Sequence, residues 1–187
     1  MMSTRVLTLL LLLNTMAPAQ QNLAVARNLV RQQHYGEAVS RVEEVLESSP
    51  DNAEALSLMG AAQLYGRHDF LTAKALFEES FQKGGGATFW VHHSHEKLGN
   101  ELLSDYCRGW LYFDKSGVTF TSDSTGDSFH LPYSAVKELK QNRLARSMFH
   151  IKDEEKTFNF RPRTGDKAEV FLIVAIYEKF TDVRGSN

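Results

Sequence analysis

Two periodicities divide the chain. Between Gln21 and Lys83 apolar residues recur every three to four positions, and after Ala87 they alternate. The first period belongs to a helix with one buried face, the second to a strand with one buried face. Leu23, Ala26 and Val30, widened by Ala24, Val25 and Leu29, make the first stripe, and Val39, Val42, Val45 and Leu46 make the next. Pro50 cannot continue a helix, and Asp51-Asn52 supply a cap for a new one. Ala53–Tyr65 and Phe70–Phe81 repeat the arrangement around the turn Gly66-Arg67-His68-Asp69. Four helices in two hairpins are predicted for residues 20–83.

Gly84-Gly85-Gly86 stops the last helix and reads as a linker between domains. It is not a phosphate-cradling loop, because no strand precedes it and no Gly-Lys-Ser/Thr follows. Beyond it Phe89, Val91, His93 and His95 alternate with Trp90, His92 and Ser94. Gly109–Phe113 and Val118–Thr121 read as strands joined by Asp114–Gly117, followed after Ser122–Gly126 by Ser128–Leu131 and then Pro132. A shorter strand is predicted at Val136–Leu139, and a hairpin at Met148–Ile151 and Thr157–Phe160. Ala168–Phe180 returns to the helical period, with Val170, Phe171, Val174, Ala175 and Tyr177 on one broad face. The class expected is α+β: α-hairpins first, then an antiparallel barrel or roll closed by a helix.

Positions in the two hairpins correspond. Ala26 and Gly60 lie 34 residues apart, Tyr35 matches Phe70, Ala38 matches Ala73, and Val42 and Phe77 follow. Small residues let paired helices cross closely, and the aromatic fills the space beside the turn. Residues 20–83 resemble tetratricopeptide repeats, whose period is 34. The second copy departs from the pattern, with one more turn residue and a glycine run where the first ends in Pro50. A generic four-helix array is the alternative. The strand order and terminal helix of residues 87–182 resemble the pleckstrin-homology-like superfold and its GRAM-type relatives, another small antiparallel barrel or roll being the alternative. The whole chain is similar to bacterial exported proteins that join such repeats to such a sheet domain. The resemblance implies a non-catalytic adaptor that binds a protein or peptide through its helices. About three repeats are needed to bury a continuous core. The C-terminal half, a second copy in a homodimer, or a partner must therefore cover what two repeats leave open.

Composition changes this picture at the N-terminus. Arg5, the apolar run Val6–Leu13 and Ala17-Pro18-Ala19 have the pattern of a secretory signal peptide over residues 1–19. The apolar run is shorter than the roughly 20 residues a spanning helix needs. A periplasmic or secreted location is expected, an uncleaved signal anchor being the alternative. With 21 basic and 23 acidic side chains the chain offers no electrostatic reason to bind nucleic acid. Its single Cys107 excludes an intramolecular disulfide and reads as a small buried residue.

Arg27 and Arg31, four apart on one helix face, are candidates to clamp a peptide carboxylate, with Leu64 and Tyr65 on the matching side of the second hairpin. An ordinary surface pair is the plainer reading of the arginines. His93 and His95 point to one face of a strand about 7 Å apart and suit two metal ligands, with a third from His130 or His150. The plainer reading is a half-exposed strand with hydrogen-bonded imidazoles. Lipid-binding relatives of the sheet domain carry basic residues in the first strand–strand loop. Here Lys97 stands in that loop, Glu96–Tyr106, against Glu96, Glu101 and Asp105, so that function does not transfer. Two further basic groups, Lys137, Lys140, Arg143 and Arg146, and Arg161, Arg163 and Lys167, can meet an anionic membrane face or simply be solvated. No catalytic motif and no cofactor fingerprint is present. The expectation is a binding protein without cofactor, not an enzyme.

Overall fold

The computed structural model describes residues 18–95, 106–123, 127–143 and 145–185. The signal-peptide segment before Pro18, the loop carrying Lys97, Glu101 and Asp105, and the turn residues 124–126 lie outside the described residues. Four helices come first: α1 (Pro18–Arg31), α2 (Tyr35–Ser48), α3 (Ala53–Arg67) and α4 (Phe70–Gln82). Strands follow: β1 (Ala87–Ser94), β2 (Tyr106–Asp114), β3 (Gly117–Ser122), β4 (Ser128–Leu131), β5 (Glu138–Gln141), β6 (Phe149–Lys152) and β7 (Thr157–Pro162). Helix α5 (Lys167–Gly185) is the last described element.

The helix boundaries have local causes. The Asn52 side chain accepts a hydrogen bond from the Ala55 amide at 3.0 Å, and Asp69 accepts one from Thr72 at 3.0 Å, each capping the helix that follows. His68 closes α3 in a left-handed conformation, φ 53°. Each helix packs on the next, and α1 also reaches α3. Ala26, Ala38 and Ala73 are completely buried. A Cβ on Gly60 would stand 2.7 Å from the Phe77 ring, so the crossing of α3 and α4 requires a glycine there. Tyr35, at the start of α2, packs against the Tyr65 ring with centroids 6.2 Å apart.

The seven strands form one antiparallel sheet in the order β4-β3-β2-β1-β7-β6-β5. Seven strands and a C-terminal helix are the elements expected from the sequence. Boundaries move: β2 begins at Tyr106, three residues before the predicted Gly109, and Pro132 leads into a 3-10 turn at Tyr133–Ala135, so the strand predicted at Val136–Leu139 begins instead at Glu138. Phe89, Val91, Leu111, Phe113, Phe120, Phe149, Ile151 and Phe160 are almost wholly buried, as are Val170, Ile173, Ile176 and Phe180 of α5. Helix α5 closes against α4 through Phe180, stacked on Phe81 at 3.7 Å. On the helical side, Phe77 of α4 meets Phe89 of β1 at 5.1 Å. One hydrophobic core therefore runs through both halves, and the sheet half covers the face that two α-hairpins leave open.

The triple glycine is a packed joint. Gly84 turns the chain at φ 96°. Ser80, fully buried, donates to the Ala53 carbonyl at 2.7 Å and accepts from the Gly86 amide at 3.0 Å. A Cβ at Gly86 would lie 1.9 Å from the Phe113 carbonyl oxygen, and backbone cannot yield there as a side-chain tip can. Gly86→Ala is accordingly expected to lower unfolding stability by about 2–4 kcal/mol. Gly36→Ala, where an added Cβ meets nothing within 4 Å on helix α2, is expected to raise it by up to about 1 kcal/mol. Chemical denaturation of both variants checks the pair.

Candidate functional site

Arg27 and Arg31 come to the mouth of a groove of about 450 Å³ between α1, α3 and the β1–β2 hairpin. Val30 and Leu58 form its helical wall, Trp110, Tyr112 and Phe113 its sheet wall, and the glycine joint its end. Helical spacing puts both arginines on one exposed face. Arg27 is bound to Glu54 across the groove. Arg31 makes no ion pair among the described residues. Asp114, the other acid in the groove, accepts from the Ser116 amide at 2.7 Å and the Ser116 hydroxyl at 2.6 Å within its turn. Trp110 stacks on Trp90 with centroids 5.6 Å apart. The Arg163 guanidinium lies 3.8 Å from the Trp90 ring and donates to Gln33 at 2.5 Å, tying the end of α1 to the sheet.

Leu64 and Tyr65 do not join the arginines. Leu64 is completely buried and Tyr65 nearly so, at the seam between the halves, and neither offers a surface to a partner. The reason is the sheet itself, which covers the face an open repeat would expose. The Trp90 amide donates to the Tyr65 oxygen at 2.6 Å, and the Tyr65 hydroxyl donates to Glu169 Oε1 at 2.8 Å. The other Glu169 oxygen accepts from the Thr164 hydroxyl at 2.6 Å and the Thr164 amide at 3.2 Å. Burial raises the Glu169 carboxyl above its ordinary value of 4.5, outweighing the three donors that favour its ionised form. Burial also holds the Tyr65 hydroxyl well above its usual range, with Glu169 adding to the effect.

At the other end of β1 the alternation places His93 and His95 on one face, and pairing with β2 sets His93 opposite Cys107. Asp127, just before β4, completes the group. The donor atoms of His93, His95, Cys107 and Asp127 all lie within 4.8 Å of one another. His93 is buried, with Phe120, Phe158 and Phe160 around its ring at 5.3, 6.0 and 5.0 Å. Burial first, and the His95 charge next, lower its pKa to about 4, so the ring is neutral near pH 7. The expected third ligands are engaged elsewhere: His130 pairs with Thr119 at 2.9 Å, and His150 with Glu138 at 2.7 Å and with Asn142. Cys107 is half-buried, not enclosed.

The basic groups regroup as well. Lys137 pairs with Glu154 at 2.8 Å and Lys140 with Glu138 at 2.5 Å. Arg146, Arg161 and Lys167 instead converge on a hollow of about 610 Å³ whose described lining contains no acid. Burial first, then Arg161, Arg108 and Arg163, hold the neighbouring His92 below its usual pKa.

Cys107 was expected only as a small buried residue, and the places of Asp127 in the cluster, of Tyr112 in the groove and of Glu169 at the seam were not read from the sequence. The long β1–β2 connection hides which residue faces His93. The available signal for Glu169 is an acid in the first turn, directly before the apolar run Val170–Ile176.

Comparison with known proteins adds little. No family model matches the chain, and no curated protein matches it. Among solved structures, the N-terminal PH domain of human ARAP2 in solution is similar over 52% of this chain and 79% of its own, at 14% identity and a TM-score of 0.42.

The buried carboxyl makes a pH test of the seam. A raised folded pKa means that the native state keeps its proton after the unfolded chain has lost it, so stability falls as pH rises through that window. Urea unfolding of wild type and Glu169→Gln is expected to show a difference that declines as pH climbs above about 4.5 and levels off beyond the raised value. A difference that grows with pH would show that the three donors outweigh burial.

Proposed function

We propose that the chain is a non-catalytic adaptor that captures a protein or peptide in the groove between its α-hairpins and the β1–β2 hairpin. The observation that carries this reading is Arg31, exposed and without an ion-pair partner among the described residues, beside a wall of Trp110, Tyr112, Val30 and Leu58. Arg27 is held by Glu54 and the Asp114 carboxylate is engaged by the Ser116 amide and hydroxyl, so Arg31 is the cation of the groove that is left without an acid partner among the described residues. A partly apolar cleft with one unpaired guanidinium suits an extended segment that carries a carboxylate. The tetratricopeptide resemblance of α1–α4 and the pleckstrin-homology-like resemblance of the sheet support a recognition role. The signal-like residues 1–19 support an exported location, and with it a partner in a bacterial envelope or beyond it. Among the described residues no helix is long and apolar enough to cross a membrane.

Panning a random peptide library against the untagged chain is expected to enrich acidic or free-carboxylate sequences. A charge-assisted hydrogen bond contributes about 1.5–3 kcal/mol, so Arg31→Glu is expected to weaken those peptides by about tenfold or more. Enrichment of sequences without acid, or affinity unchanged by the substitution, rejects the groove.

A second reading, contact with an anionic membrane surface, is favoured by the hollow of Arg146, Arg161 and Lys167, whose described lining holds no acid. The chain is then expected to sediment with phosphatidylserine-containing vesicles, not with neutral ones, and Arg146→Glu with Arg161→Glu to abolish it. Equal sedimentation with both kinds of vesicle removes this reading.

A further inference from the structure

We propose that His93, His95, Cys107 and Asp127 form a closed, structural binding site for one zinc-class divalent cation. Bonds of about 2.0–2.3 Å to nitrogen, oxygen and sulfur give a tetrahedron with edges of about 3.3–3.6 Å. The His93 Nδ1 to Asp127 Oδ2 separation is 3.6 Å, and His93 Nδ1 to Cys107 Sγ is 3.8 Å. The first lies at the top of that range and the second, at 3.8 Å, just beyond it, so each needs only a small contraction. The third measured edge, His95 Nδ1 to Asp127 Oδ2, is a hydrogen bond of 2.7 Å and must open by roughly half an ångström or more. That movement falls on the two more exposed ligands, and the aromatic ring packing of His93 fixes the anchor.

The donor set selects the ion. Two imidazoles, a thiolate and a carboxylate suit zinc and its borderline neighbours, whereas magnesium and calcium require oxygen. Thiolate and carboxylate together neutralise a doubly charged ion, so the filled site adds no net charge at the edge of an aromatic core. Binding releases the thiol proton to solvent. A cavity of about 740 Å³ lined by His93, His95 and Asp127 provides the entry path. The ligands come from β1 and the residue after it, from β2 and from the residue before β4, so the ion would fasten the β1–β2 pair to the approach of β4.

The test uses the untagged chain, stripped with chelator, kept reduced and titrated with Co²⁺ and then Zn²⁺. One Co²⁺ per chain is expected, with intense tetrahedral visible bands and a thiolate charge-transfer band, all displaced by Zn²⁺, and Zn²⁺ is expected to raise the melting temperature. Cys107→Ser is expected to lose the charge-transfer band, and His95→Ala to weaken binding by about tenfold or more. His95 is exposed, so His95→Ala keeps the test valid if a change at buried His93 prevents folding, with circular dichroism checking that it does fold. Sub-stoichiometric binding, a weak octahedral Co²⁺ spectrum, or binding unaffected by both substitutions overturns the proposal.

Discussion

The buried contact of Tyr65 with Glu169 sets the terms for the rest of the molecule. A carboxyl with no exposed surface is tolerated only where donors meet both oxygens, and these donors come from two different parts of the chain. Tyr65 belongs to α3, Thr164 to the turn after β7, and Glu169 to α5, while the Tyr65 oxygen also receives the Trp90 amide of β1. Removing any one member leaves a desolvated polar group behind, a penalty of about 1–3 kcal/mol. The helical half and the sheet half are therefore not two beads on a string. The same network explains why the second hairpin offers no recognition surface at Leu64 and Tyr65; the groove lies about two turns earlier along α3, beside α1.

The glycine joint follows from that constraint. Once α3 and α4 are pinned against β1, the chain has three residues in which to leave α4 and enter the sheet. Ser80 gathers the ends by bonding both Ala53 and Gly86, and no side chain fits where Gly86 meets Phe113. The closing helix then seals both layers, since Phe180 stacks on α4 and Tyr177 reaches both Phe113 of β2 and Tyr133. A linker of these glycines reads as flexible from composition, but packing on both sides removes that freedom.

Local features were legible in the sequence and long-range ones were not. Period 3.6 against period 2 located five helices and seven strands, because each element buries one face and its pattern is written in consecutive residues. The caps at Asn52 and Asp69 are local chemistry of the same kind. Element ends were less legible: β2 starts at Tyr106 instead of Gly109, and the late start of β5 turned on a short 3-10 turn after Pro132 that the alternation of Val136 and Leu139 conceals. The site residues depend on register between segments far apart. Arg27 and Arg31 were visible as a helical pair, but Glu54, which engages one of them, comes from another helix. His93 and His95 were visible as alternate residues of a strand, but their partners Cys107 and Asp127 arrive from β2 and from the approach to β4. Tyr65 reads as an exposed groove residue until the sheet is laid over it.

The stacked pair of Trp90 and Trp110 has one further consequence. The chain contains two tryptophans, and both sit at this seam, one beneath Arg163 and the other lining the groove. Its indole fluorescence thus arises wholly from the boundary between the halves, with the cation above one ring and the coupling of two parallel rings shaping the emission. The molecule carries an intrinsic optical gauge of that boundary, readable without any label.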